Sequence, residues 1–230
     1  MKPVLFLLSL IFCITAFTQN AGIDGVTSLT QLYDSSGRSL LGKKNIKIIG
    51  SPMLNENWGT GEVKFTNGRI LRNANLRYNL VTGKLHYKID ELEITFLDPV
   101  SEFSYSYTNA DGENCKVVFR NGYPGTAPGA GLVYYQVLAE SPRFQLLKNM
   151  YKKLDDHYEY NGPVSKIYLL STELYLYDSQ SKNLISLKNK QSLINSIPEL
   201  EDEVNRKFGH SNGKFHSEKE LIDLIARLNK

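Results

Sequence analysis

The chain has 230 residues and sets 27 Lys and Arg against 24 Asp and Glu, a net charge of +3 with both signs interspersed. That balance supplies no clustered basic footprint for nucleic acid. About 210 residues beyond the first 19 suffice for one large β domain, and a chain of that size buries roughly 70% of its unfolded surface without staples.

The chain opens MKPVLFLLSLIFCITAFTQN, with Lys2 ahead of a nearly unbroken apolar run from Val4 to Phe17 and Ala16-Phe17-Thr18 before Gln19. This pattern predicts a secretory signal peptide over residues 1–19. The competing reading is a membrane anchor, but the run is short for a bilayer that needs about 20 apolar residues. Phe12 stands before Cys13 where a lipoprotein signal carries a small residue. Removal of the leader leaves Cys115 without an internal disulfide partner. The expected location is therefore periplasmic or extracellular, in a Gram-negative bacterium, and not membrane-spanning after cleavage.

Residues 20–49 read as a polar, poorly defined arm. From Gly50 the pattern alternates. Val63 and Phe65 alternate with Glu62, Lys64 and Thr66, and Asn67-Gly68 follows, the strongest short hairpin signal. A type I′ turn there pairs Thr66 with Arg69 and leaves Arg72 as a misfit opposite Val63. Leu85, Tyr87 and Ile89, then Leu92, Ile94 and Phe96, then Phe103, Tyr105 and Tyr107 continue the alternation between turn residues. Short alternating runs at this spacing predict an antiparallel sheet with one solvated face over 50–188, as an extended meander or an open barrel. Phe144 to Leu154 fits a helical stripe as well as a strand.

From Asn189 the period becomes helical, and 189–230 is expected to be a helical appendage packed on the sheet. Pro198 precedes Glu199, Glu201, Asp202 and Glu203, while Arg206, Lys207 and Gly209 close the segment, an order that complements the helix dipole. Ser217 and Glu220 form a capping-box pair before Leu221, Leu224, Ile225 and Leu228. The whole is mainly β with two or three short C-terminal helices.

The reactive-looking motifs are weak. Gly209-His210-Ser211-Asn212-Gly213 matches the hydrolase elbow, but that chemistry needs a strand before the Ser and a parallel sheet. It also needs acid before His after the nucleophile, whereas His216 here precedes Asp223. Tyr123 to Gly131 is glycine-rich without a phosphate-loop pattern and reads as a connection or a lid. Asp155, Asp156, His157 and Glu159 gather oxygen and nitrogen donors without a known metal spacing. No cofactor is implied. The aromatic residues carry more. Trp58 and the pairs Tyr105 with Tyr107, Tyr134 with Tyr135 and Tyr175 with Tyr177 are candidates to contact a ligand, although Tyr also suits half-buried strands for structural reasons alone.

GSPMLNENW, GEVKF and LRYNL, followed by the switch into C-terminal helices, resemble a broad family of uncharacterised exported β-rich proteins of Bacteroidota-type bacteria. The resemblance spans Gly50 to Asn229 and implies a strand for 144–154. It carries no activity, and this chain lacks the Tyr-rich last helix of several members. The expectation is an exported, non-catalytic binding or structural module for an unknown small molecule or protein. The alternative is a hydrolase of unrecognised type using carboxylates or Ser211. A lipid-embedded barrel is a third reading, and the Lys- and Glu-rich strand faces argue against it.

Overall fold

A computed structural model describes residues 46–124, 133–160, 164–209, 215 and 217–227. The leader and nearly all of the arm, most of the glycine-rich loop, and Ser211 with His210 and His216 lie outside them. Residues 47–230 form one unit.

Among the described residues eleven strands make one sheet: β1 (Ile48–Ile49), β2 (Gly59–Phe65), β3 (Ile70–Asn79), β4 (Lys84–Ile89), β5 (Leu92–Thr95), β6 (Val100–Thr108), β7 (Asn114–Arg120), β8 (Tyr135–Glu140), β9 (Phe144–His157), β10 (Ser165–Asp178) and β11 (Asn183–Ser186). The order is β1-β10-β9-β8-β7-β6-β2-β3-β4-β5, with β11 also on β10. The meander is thus interrupted once, where β6 returns to lie beside β2. Every pair is antiparallel except β1 with β10, so the last two residues of the expected arm add one parallel pair. The sheet is mixed, mainly antiparallel, and open.

Only Phe96–Pro99 connect β5 to β6, which stand four strand spacings apart in the order. Across a flat sheet that is about 19 Å, the limit of what five Cα steps of about 3.6 Å can reach. The connection therefore forces a curl. At the other side of the curl, Lys152 N–H donates to Leu80 O in the β3–β4 turn at 3.0 Å. The Lys152 ammonium also donates to Ser51 O and Met53 O, at 2.9 and 2.6 Å. Inside lie Val63, Leu76, Tyr78, Phe103, Tyr105, Phe119 and Met150, all buried.

The first hairpin differs from the expected register. Gly68 N–H bonds Phe65 O and Phe65 N–H bonds Arg69 O, which makes a three-residue loop with Gly68 at φ +84°. Asn67 keeps negative φ, so the turn is a type I turn closed by a left-handed glycine, not type I′. Val63 then pairs with Leu71. A bulge follows, with Asn73 at φ +56°. The bulge absorbs the misfit: Arg72 swings outward to Glu62 at 3.0 Å.

Phe144–His157 is a strand. Leu146 and Leu147 are both fully buried, one beneath the helices and the other beneath tyrosines, so the segment is covered on both faces. The helices α1 (Lys190–Ser196), α2 (Glu201–Phe208, after a 3-10 turn at Pro198–Leu200) and α3 (Glu218–Arg227) cover one face of β9 and β10. Asn189 and Ser192 form a full capping box on α1. On α3, Ser217 Oγ accepts from Glu220 N–H at 3.2 Å, the first half of the expected box. Lys148 of β9 fixes α3 through Glu218 at 2.6 Å.

Arg143 holds this corner together. It pairs with buried Asp178 at 3.0 Å, bonds Glu199, and lies 4.6 Å over the Phe144 ring. The guanidinium holds the Asp178 carboxyl at about 2, below its ordinary 3.8. A carboxylate acidified by folding contributes stability above its unfolded pKa and loses it as protons return. The thermal midpoint should therefore fall between about pH 4 and pH 2, and Asp178→Asn should flatten that part of the curve. An equally steep fall in the variant would remove Asp178 from the account.

Candidate functional site

The open end of the curl leaves a groove of about 1160 Å³. One wall is the β2–β3 hairpin, with Phe65, Arg69, Ile70 and Leu71. The other is the β4–β5 hairpin and the crossover, with Tyr87, Ile94, Phe96 and Leu97. The first half of β3 builds this space, because β4 pairs only with Asn75–Asn79. Ile70–Asn73 therefore lack a neighbour on that side.

The apolar part of the lining follows from register, while Arg69, His86, Glu93, Thr95 and Asp98 border the same groove. Tyr87 pairs with Ile94 and shares the inward face with Leu76. Phe96 stacks on Tyr87 at 4.3 Å and meets Phe65 edge-on at 5.5 Å, which makes an aromatic floor continuous with the core. Above it the side chains are open: Leu71 is 36% exposed, Ile94 38% and Leu97 100%. At the rim Arg69 bonds Asp98 and lies 5.1 Å over the Phe65 ring.

The outer face of the same hairpins is polar and held in place. The Glu93 carboxylate accepts from Arg77 at 2.7 Å and meets His86 Nδ1 at 2.9 Å. His86 is thereby tied to β5. Trp58 packs beneath the Arg77 guanidinium at 4.6 Å, so it clamps β3 from outside and does not line the groove.

The tyrosines fall into two groups. Tyr105 is 1% exposed and its hydroxyl donates to Asn55 Oδ1 at 2.9 Å. Tyr107 packs against it at 5.7 Å, and Tyr134 donates to Val100 O at 2.8 Å. All three serve the first core. Burial pushes the Tyr134 hydroxyl up to about 12, which keeps it a neutral donor. Tyr135 belongs to a different cluster on the far side of the sheet, where Tyr123, Tyr175 and Tyr177 meet it or one another edge-on at 5.0–5.6 Å. There Glu173 accepts from Tyr175 at 2.8 Å and from Tyr151 at 3.3 Å.

Asp155, Asp156, His157 and Glu159 lie at the end of the β9–β10 hairpin. Asp156 pairs with Lys166 at 2.9 Å, Asp155 accepts from the Asp156 backbone, and His157 Nε2 is 3.9 Å from Glu159. Among the described residues no three His, Cys, Asp or Glu side chains converge for a metal. Cys115 is half-buried on β7.

The groove was not foreseen from sequence. Its signal was present in part: Ile94, Phe96 and Leu97 are apolar in and just beyond a strand that has a neighbour on one side only. No family model, curated protein or solved structure matches the chain.

Proposed function

We propose that the protein is an exported, non-catalytic binding module whose site is the groove between the β2–β3 and β4–β5 hairpins. One observation carries this reading. An aromatic floor of Phe65, Tyr87 and Phe96 opens onto exposed Leu71, Ile94 and Leu97 in a space of about 1160 Å³. Concave, largely preformed apolar sites with a few polar groups at the rim are the usual form of small-molecule pockets, and barrel mouths are a preferred place for them. The occupant has the chemistry of the wall: a flat or flexible apolar molecule, its polar end at Arg69 and Asp98. Export rests on Lys2 and the apolar run to Phe17. The resemblance to exported Bacteroidota-type proteins agrees with it.

Titration with the apolar fluorophore N-phenyl-1-naphthylamine tests the groove. Saturable enhancement is expected with the wild type. Leu71→Glu should weaken it at least tenfold, because a carboxylate would have to lose water beside the probe. Probe at about 100 times its Kd should stabilise the fold by about 2.7 kcal/mol. No saturable enhancement, or equal binding by Leu71→Glu, would move the site elsewhere.

A further inference from the structure

Strand β5 ends the sheet, and all four of its residues are exposed. It is four residues long, Leu-Glu-Ile-Thr, with its two apolar side chains on one face. Leu92 is 68% exposed and Ile94 38%, with Ile89 and Leu97 beside them. Unpaired apolar edges are templates for another strand, and proteins usually blunt them with charge, bulges or cover.

The hairpin fixes which backbone groups are free. Asp90 and Glu91 form a two-residue turn, so Ile89 and Leu92 are the closing hydrogen-bonded pair. In an antiparallel ladder such pairs alternate with non-bonded ones. Leu92 and Ile94 therefore direct their N–H and C=O groups to β4. Glu93 and Thr95 direct theirs to the open edge.

We infer that β5 pairs with β5 of a second copy, antiparallel about a two-fold axis through Ile94, so that one sheet runs through both chains. The register follows from the free groups. Glu93 of each copy exchanges two hydrogen bonds with Thr95 of the other, which satisfies every open backbone group of the strand. Ile94 then faces itself in the close, non-bonded position. Leu92 faces Phe96, on the groove side. The outward side sets Glu93 opposite Thr95, so no like charges meet within the paired stretch. Glu93 is already neutralised by Arg77. At each end Asp90 reaches the Arg69–Asp98 pair of the other copy and adds a second carboxylate to that guanidinium. A lengthwise shift by one residue would put the apolar set on opposite faces and lose this match.

The axis stands perpendicular to the sheet, so both grooves open on the same side and share a wall of Leu92, Ile94 and Phe96. The second copy thus completes a site that one chain leaves open along β5. The pairing does not depend on what the groove holds.

Light scattering after size exclusion reads the association directly. The full chain at about 100 µM should run at twice its 26.1 kDa mass. Thr95→Pro removes only an N–H that faces the open edge, so the β4–β5 hairpin keeps its bonds. The two-fold deletes two intermolecular bonds, and association should weaken about a hundredfold. Ile94→Lys, which sets two charges on the axis, gives the same result by a different route and covers any misfolding of the first variant. A wild type that stays monomeric overturns the proposal. A dimer indifferent to both substitutions also overturns it, as does a ladder of larger species, since a two-fold contact closes at two. Fluorophore binding by the wild type is read separately from its mass, so a failed dimer and a failed groove are distinguishable.

Discussion

Gly61→Ala should destabilise the protein by about 3 kcal/mol or more, and Gly61→Val should leave no cooperative unfolding transition. A Cβ at Gly61 would stand 1.9 Å from Ser104 O and 2.5 Å from Tyr105 Cβ. Both belong to the paired strand β6, where Gly61 lies opposite Tyr105. Backbone on a central strand cannot give way, because β6 is held by β7 on its other edge. Overpacking usually costs about 1–3 kcal/mol where side chains can yield, and here the obstacle is a carbonyl. The Tyr105 ring uses the space that the glycines leave, also covering Gly59, and reaches Asn55 in the segment before β2. The residue does not act through turn freedom; it acts through the absence of a side chain at a close strand approach. Thermal denaturation followed by circular dichroism checks it. About 3 kcal/mol corresponds to roughly 6–12 °C for a chain of this size. Thr60→Val, on the exposed side of the same strand, should change little. A Gly61→Ala midpoint within a degree of wild type would mean that β2 and β6 are not paired in this register.

The sequence carried the strand content because most strands have one wet face. His86 with Tyr87, and Ser104 with Tyr105, obey period two since one side meets water and the other the core. Phe144–Leu154 resisted the same reading for a physical reason. Leu146 lies in the cluster beneath the helices, with α3 packed on β9, while Leu147 lies under Tyr123 and Tyr135. A strand buried on both faces keeps no alternation. The first hairpin was recognised but its register was not, since the bulge at Asn73 depends on β6 and the fit of Arg72 to Glu62. The candidate aromatics show the deeper limit. Tyr105 and Tyr135 are both strand tyrosines, yet one fills the core and the other the far face. Which face is covered is decided by β6 returning beside β2 and by four residues that bend the sheet, and neither is a local property. The groove is the remainder of that geometry.

Lys190→Met should cost about 2–4 kcal/mol and should loosen the helical tail while leaving the curled sheet intact. Lys190 is 2% exposed at the start of α1. Its ammonium donates to the carbonyls of Phe208 and Gly209, at the end of α2. The last carbonyls of a helix have no partners within it, and the helix places partial negative charge there. A buried cation answers both needs from another helix, so Lys190 couples α1 to α2 where apolar packing alone would leave polar groups dry. Methionine keeps the stem and removes the donor, and each buried carbonyl left unmatched costs about 1–3 kcal/mol. The damage should stay local because the tail's Leu193, Val204, Phe208, Leu221 and Leu224 pack with Phe144, Leu146 and Leu176 of β9 and β10 in a cluster separate from the Phe103–Phe119 one. Limited proteolysis reads the locality. Cleavage should accelerate in the segment from Lys188 to Gly209, whereas the β2–β7 region should resist as in the wild type. A variant with unchanged stability and an unchanged cleavage pattern would show that the ammonium is dispensable. If instead the sheet unfolded together with the tail, the two cores would be one cooperative unit, and the groove would depend on helices that never touch it.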